Sequence, residues 1–190
     1  MVRTKIYLKN LKKNLNCKNF NNIGILINYL FESWINKKKV FICGNGGSAG
    51  NANHIANDLL YGIGKINGVG LDVESLAANS SVITCLANDT GYQNIFSQQL
   101  LVKGQKDDLL ILLSGSGNSA NIIEAIKVAK KKYMKIFAIL GYDGGKVKKL
   151  IKNYIHFKIN DMQISEDLQL TVLHICIQNL LERKIFNNSK

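Results

Sequence analysis

The sequence predicts an α/β protein, a doubly wound sandwich built on a five-stranded parallel sheet. Two observations carry that prediction. Short, continuously apolar, β-rich runs alternate with longer stretches of helical periodicity, and unbroken apolar strands are what a sheet covered by helices on both faces requires. The chain also has no proline, no low-complexity stretch and no long polar linker. Nothing marks a domain boundary, and residues 1–190 read as one domain. Right-handed crossovers between parallel strands then place helices on both sides of the sheet.

In chain order, helical periodicity appears over residues 20–36, followed by the first strand, Val-Phe-Ile-Cys at 40–43. A helix is expected over 49–61, a strand over 70–73 and a helix over 92–103. The most apolar strand covers 109–113, and a helix follows over 119–132. Strands over 135–140 and 154–159 complete the sheet, and a long helix over 164–184 closes the chain. Ligands of such sheets sit beyond the carboxyl ends of the strands, so the turns after the strands come next.

The first strand leads into Cys43-Gly-Asn-Gly-Gly-Ser48 and then directly into a helix. Glycines permit a tight turn and a close ligand approach, and a helix N-terminus carries partial positive charge. The spacing is neither the GxGxxG dinucleotide fingerprint nor a P-loop. A nucleotide cofactor is therefore not expected. The third strand leads into Ser114-Gly-Ser-Gly-Asn-Ser119, again opening a helix. One hydroxyl suffices for an N-cap; three, interleaved with glycines and free N–H groups, make a neutral cradle for phosphate. Between these loops lies Ala87-Asn-Asp-Thr-Gly-Tyr92. Its Asn88 and Asp89 suit either sugar hydroxyls or an Asx turn. Gly141-Tyr-Asp-Gly-Gly145 reads as a plain turn.

The titratable groups are sparse. His54 and Asp58 stand at i and i+4 on one helix and face the same way. Glu166 and His174 stand eight residues apart on the last helix, roughly on one face but about 12 Å apart along its axis. If the two helices meet, these four groups suit either a zinc site or a metal-free acid and base pair. His156 reads as structural. Cys17, Cys43, Cys85 and Cys176 show no CxxC spacing and read as buried free thiols.

The formal charge of +12 raises nucleic acid as a partner, since clustered cations gain affinity by releasing counterions. Almost all of it is lysine, however; Arg3 and Arg183 are the only arginines, whereas specific readers use arginine's fork. The lysine runs at 37–39 and 130–132 sit where helices end, a position the helix dipole favours. No nucleic acid is expected, and an anionic small molecule remains compatible. No apolar run reaches the roughly 18–20 residues of a membrane-crossing helix, and the N-terminus lacks a signal-peptide core. No membrane association is expected, and the protein reads as cytoplasmic.

Four segments, Cys43-Gly-Asn-Gly-Gly-Ser-Ala49, Ala87-Asn-Asp-Thr-Gly-Tyr92, Ser114-Gly-Ser-Gly-Asn-Ser-Ala-Asn121 and Leu173-His-Ile175, together resemble the bacterial phosphoheptose isomerases. These are single-domain members of the sugar isomerase (SIS) family, and the likeness runs from about residue 5 to residue 183. It implies an SIS fold with extra helices in an N-terminal arm over about 1–37, the α/β core over about 38–190 and the long C-terminal helix. It implies a homotetramer with active sites at subunit interfaces. The implied reaction interconverts sedoheptulose 7-phosphate and a glycero-manno-heptose 7-phosphate, feeding lipopolysaccharide, capsule or S-layer glycan. By position, Ser114, Gly115, Ser116 and Ser119 would hold the phosphate. Asn45, Gly46, Gly47, Ser48, Asn88, Asp89 and Glu166 would line the sugar. His54, Asp58, Glu166 and His174 would hold one zinc, with Asp58, His174 and Glu166 also catalytic.

Departures from the family pattern bear on that site. The family usually has Glu where this chain has Asp58 and Gln where it has Glu166. It often has Thr at Gly115 and a basic residue at Gly62. Asp58 is a methylene shorter than Glu, and a misplacement of about an ångström can cost on the order of 100-fold in rate. The added charge of Glu166 favours a divalent metal. The expected chemistry passes through a cis-enediol(ate), with Asp58 and His174 sharing proton abstraction and return. Two other readings follow from the same likeness: a non-catalytic SIS regulator that binds a sugar phosphate or a partner protein, and an isomerase of another sugar phosphate.

Overall fold

The computed structural model describes residues 1–183, apart from the side chains of Cys17 and Asn67. Two helices, α1 (Val2–Asn14) and α2 (Ile23–Ile35), precede the sheet. The five strands are β1 (Val40–Cys43), β2 (Val73–Ser75), β3 (Leu109–Ser114), β4 (Lys135–Leu140) and β5 (Tyr154–His156). They form one parallel sheet in the order β2-β1-β3-β4-β5. Val40 pairs with both Val73 and Leu109, and Leu109 in turn with Lys135.

Each strand divides its side chains between two cores, because successive residues point to opposite faces. Val40, Ile42, Leu109, Ile111, Leu113, Phe137 and Ile139 pack with α2 and with helices α3 (Gly47–Asn57) and α9 (Met162–Glu182). Phe41, Cys43, Leu110, Leu112, Ala138 and Leu140 pack on the other face. There they meet α6 (Ser97–Lys103), α7 (Ala120–Lys131) and α8 (Gly145–Leu150). All six residues of β3 are buried, as the most apolar run of the sequence required.

Helix α3 does not stop at Asn57. It runs through a π-helical turn, Asp58–Gly62, into α4 (Ile63–Asn67). Such wide turns recur at functional sites. The chain then doubles back over the turn, where Leu71 N–H donates to the Leu59 carbonyl at 3.0 Å. A Cβ at Gly70 would collide with the Leu60 carbonyl, so glycine is required for that crossing. This docked loop explains why the strand expected over 70–73 begins at Val73.

Other expectations change as well. Residues 80–90 form a helix, α5 (Ser80–Thr90), capped by the Asn79 side chain, which accepts from Val82 N–H. The Asn88–Asp89 segment expected as a loop is therefore the last turn of that helix. The turn expected at 141–145 leads into α8, a helix the periodicity did not reveal. The last strand ends at His156, short of residue 159. α9 ends at Glu182; residue 184, the expected end, lies outside the described residues.

His156 is structural, as expected. It hydrogen-bonds the Tyr142 carbonyl through Nε2 at 3.1 Å, and Lys148 Nζ lies 3.2 Å from Nδ1. Burial, and then the nearby Lys148 charge, hold its imidazole below the usual histidine range. Cys43 and Cys176 are buried free thiols, and burial pushes both thiols up. Cys85 departs from expectation: it is exposed on α5 and donates to Asp89 Oδ2 at 3.5 Å. The side chain of Cys17 lies outside the described residues. Among the described residues, no helix is long and apolar enough to cross a membrane.

Candidate functional site

The strand order reverses between β1 and β3, and in sheets of this order the ligand crevice opens there. The two loops singled out in the sequence are the ones that follow those strands. They enclose a small open recess of about 80 Å³, lined by Asn45, Ser48, Leu113, Ser114, Gly115, Ser116, Ser119, Met162 and Glu166. Three helices start at its rim: α3 just after Asn45, α7 just after Ser119 and α9 at Met162.

The serine loop is braced from within. Ser114 Oγ accepts from Gly117 N–H at 3.0 Å, and Ser116 Oγ accepts from Asn118 N–H at 3.2 Å. Each oxygen thereby keeps its own O–H as a donor. Those two backbone N–H groups, counted from the sequence as free for a ligand, are occupied within the loop. The hydroxyls, not these two amides, remain as donors. Ser119 is the N-cap residue of α7 yet makes no capping bond through its side chain. Gly115 adjoins Met162: a Cβ there would come 2.6 Å from the Met162 sulfur. Methionine fills the space that a threonine at this position would take.

Polar contacts tie α3 to α9. Gln169 donates to Ser48 Oγ at 3.0 Å, and Asn51 donates to Gln169 Oε1 at 3.1 Å and to the Glu166 carbonyl at 3.0 Å. Both helices therefore run in the same direction, with Gly47 level with Glu166 and His54 level with His174. The last pair closes on a carboxylate. His54 Nε2 lies 3.1 Å from His174 Nε2, and Asp58 Oδ2 lies 3.4 Å from the first and 3.8 Å from the second.

This group fits a zinc ion. Ligand atoms about 2.0–2.1 Å from a tetrahedral centre stand about 3.3–3.4 Å apart, and the three observed separations straddle that value. Two imidazoles and a carboxylate are ordinary zinc donors, and three protein ligands leave a fourth position open. Among the described residues, the metal-capable group consists of His54, Asp58 and His174. Glu166, expected as a fourth ligand, is not in it. Its carboxylate sits over Gly47, where a Cβ would collide with both oxygens. The eight-residue spacing on α9 keeps it about 12 Å along the axis from His174.

Asn88 and Asp89 lie on the exposed end of α5, bonded to each other at 2.8 Å, and neither lines the recess. Gly46 and Gly47 are exposed at the start of α3. Sequence reasoning missed Asn121 and Tyr92, which bond to Asn45, as well as Asn51 and Gln169. Asn121 carried a signal, since it closes the Ser114–Asn121 segment, but its burial did not show.

A parallel sheet of this order, a serine recess at its switch point and a His/Asp group on adjacent helices define the class. The SIS domain family profile matches residues 6–141, and the chain belongs to the SIS domain family. A Helicobacter pylori phosphoheptose isomerase is 37% identical over 161 residues, 83% of each chain. One from Shewanella denitrificans is 38% identical over 152 residues, covering 78% of this chain and 76% of its own. The solved phosphoheptose isomerase of Neisseria gonorrhoeae superposes with a TM-score of 0.83 at 26% identity, over 95% of this chain and 98% of that one. The Francisella tularensis phosphoheptose isomerase gives a TM-score of 0.88 over 95% and 97% at 22% identity, which speaks for the fold.

Proposed function

We propose that this chain is an aldose–ketose isomerase that interconverts sedoheptulose 7-phosphate and a glycero-manno-heptose 7-phosphate for heptose biosynthesis. The observation that carries the reading is a distance. The serine recess and the His54/Asp58/His174 group lie at two levels of the parallel α3–α9 pair. Seven residues on α3, Gly47 to His54, and eight on α9, Glu166 to His174, separate the levels by about 10–12 Å. An extended chain advances roughly 1.1–1.2 Å per bond, so the eight bonds from phosphorus to C1 of a heptose 7-phosphate reach about 9–10 Å. A pentose 5-phosphate, two bonds shorter, reaches about 7 Å and spans less of that separation. The relatives named phosphoheptose isomerase support the same substrate.

In this reading the hydroxyls of Ser114, Ser116 and Ser119, with the backbone of Gly115 between them, hold the phosphate. Asn45, Gly46, Gly47, Ser48 and the Glu166 carboxylate line the sugar between the two levels. Binding energy from the phosphate end places the reacting carbons at the other end. There Asp58 and His174 share the proton that moves between C1 and C2, the two carbons of the enediol. His54, Asp58 and His174 would hold a zinc ion, which when bound supplies Lewis-acid polarisation of the carbonyl. Asn88 and Asp89, away from this recess, would serve the sugar of a neighbouring subunit in a homotetramer. The glycan supplied would be lipopolysaccharide or capsule, and the enzyme would act in the cytoplasm.

The test is turnover of sedoheptulose 7-phosphate by the purified chain, with zinc measured on the same sample. Turnover that falls at least 100-fold in both Asp58→Asn and His174→Ala supports the assignment. Binding of the sugar phosphate without turnover by the wild type would instead make the chain a regulator.

A further inference from the structure

Asn45 lines the recess and its side-chain amide is nearly saturated. Its Oδ1 accepts from Asn121 Nδ2 at 2.8 Å and from the Tyr92 hydroxyl at 3.0 Å, while its Nδ2 donates to Asn121 Oδ1 at 2.9 Å. A carboxamide offers two acceptor sites and two N–H donors. Both acceptor sites are filled and one donor is used, so a single N–H remains for a ligand. Asn121 is 1% exposed and does not line the recess. Its Oδ1 also accepts from Ile122 N–H at 2.9 Å, which fixes the face it turns to Asn45. The pair bridges the loop after β1 to the start of α7, and Tyr92 joins them from the turn that follows α5.

We propose that Asn121 is a positioning residue for the isomerase read above: it fixes the Asn45 amide so that Asn45 meets the substrate only as a hydrogen-bond donor. An asparagine free to rotate would present its carbonyl oxygen to the recess half the time and repel an anionic or oxygen-rich ligand. The paired amides remove that choice before the ligand arrives. Tyr92 secures the same orientation from the far side of Asn45. The ligand group recognised there is an oxygen acceptor, a sugar carbonyl, hydroxyl or phosphate oxygen.

The test is a double-mutant cycle in sedoheptulose 7-phosphate turnover, with KM, kcat and thermal midpoint recorded for each variant. Asn121→Ala raises KM about tenfold, the scale of one hydrogen bond to a charged or polar ligand, and leaves kcat within about twofold. Asn121→Asp, which keeps the shape but turns a second oxygen toward Asn45 Oδ1, fails to restore KM. In an Asn45→Ala background, Asn121→Ala adds no further rise in KM. Tyr92 is 55% exposed, so Tyr92→Phe folds normally; it raises KM about threefold, a loss smaller than one full hydrogen bond.

An Asn121→Ala variant with lowered thermal midpoint and unchanged KM would overturn the inference, because Asn121 would then only hold the loops together. Full additivity of the two KM effects would overturn it as well. Should Asn121→Ala not fold, an unchanged KM in Tyr92→Phe is the overturning result. A wild type that neither binds nor turns over the sugar phosphate would remove the isomerase reading and this inference together. That failure is visible before any variant is made.

Discussion

The two ends of the α3–α9 pair are built differently. At the serine end, Ser48 and Gln169 are buried and bonded to each other, Ser114 is buried and braced by Gly117, and Asn45 is held by two partners. At the histidine end, the side chains of His54 and His174 are 49% and 47% exposed and that of Asp58 is 29% exposed. One end is finished within a single chain; the other stands open. The difference teaches that the serine end is preorganised within the chain, whereas the histidine end is left open to water.

Variants can break that contrast or sharpen it. The largest effect belongs to the open end: Asp58→Asn or His174→Ala lowers kcat by about 10²–10⁴-fold, the range for a lost acid or base. Steady-state assays should show little change in competitive inhibition by inorganic phosphate. At the closed end, Ser116→Ala raises KM about 10- to 100-fold with kcat largely kept, since a hydrogen bond to a charged group is worth about 1.5–3 kcal/mol.

Metal removal comes next. A ligand at 100 times its Kd stabilises the fold by about 2.7 kcal/mol, so a chelator lowers the melting temperature of the zinc-loaded wild type by several degrees and leaves His54→Ala unmoved. Glu166→Gln acts more mildly and in the opposite sense. The carboxylate lines the recess proposed for a phosphate dianion, and repulsion on the order of 1 kcal/mol across several ångströms in watery surroundings predicts a KM about fivefold lower in the glutamine variant. An unchanged or higher KM there would mean that the bond of Glu166 to a sugar hydroxyl outweighs its repulsion of the phosphate.

The smallest effect concerns pH. His156 braces the Tyr142 carbonyl and its folded-state imidazole lies below the usual range. The unfolded chain therefore binds its proton more readily. Stability from this group is present above about pH 6.5, the ordinary histidine value, and is lost as pH falls through the lower folded value. Melting curves between pH 7 and 5 should fall slightly more for the wild type than for His156→Gln.

Much of this was legible in the sequence. The alternation of apolar strands with helices carried the sheet, because strands buried on both faces leave no other pattern. The glycine and serine loops announced themselves by residue types that a plain turn does not need. The rest depended on distances the chain does not write down. Glu166 lost its place in the metal group because two helical turns are about 11 Å long, whatever the chemistry of its carboxylate. α5 escaped notice because Ser80-Ser-Val-Ile-Thr-Cys is rich in β-branched and hydroxyl residues that weaken helical propensity. Asn121 was missed because its role lies in its partners, not in its own motif.

The three helices that begin at the serine recess have a further consequence. Each start carries the equivalent of roughly half a positive charge, and none of the nine lining residues is a lysine or arginine. The part of the attraction for an anion that comes from the helix starts is therefore written into the backbone and cannot be titrated or acetylated away. The chain's many lysines are released from that duty. They can drift or be modified in descendants of this sequence while that contribution stays as the fold made it.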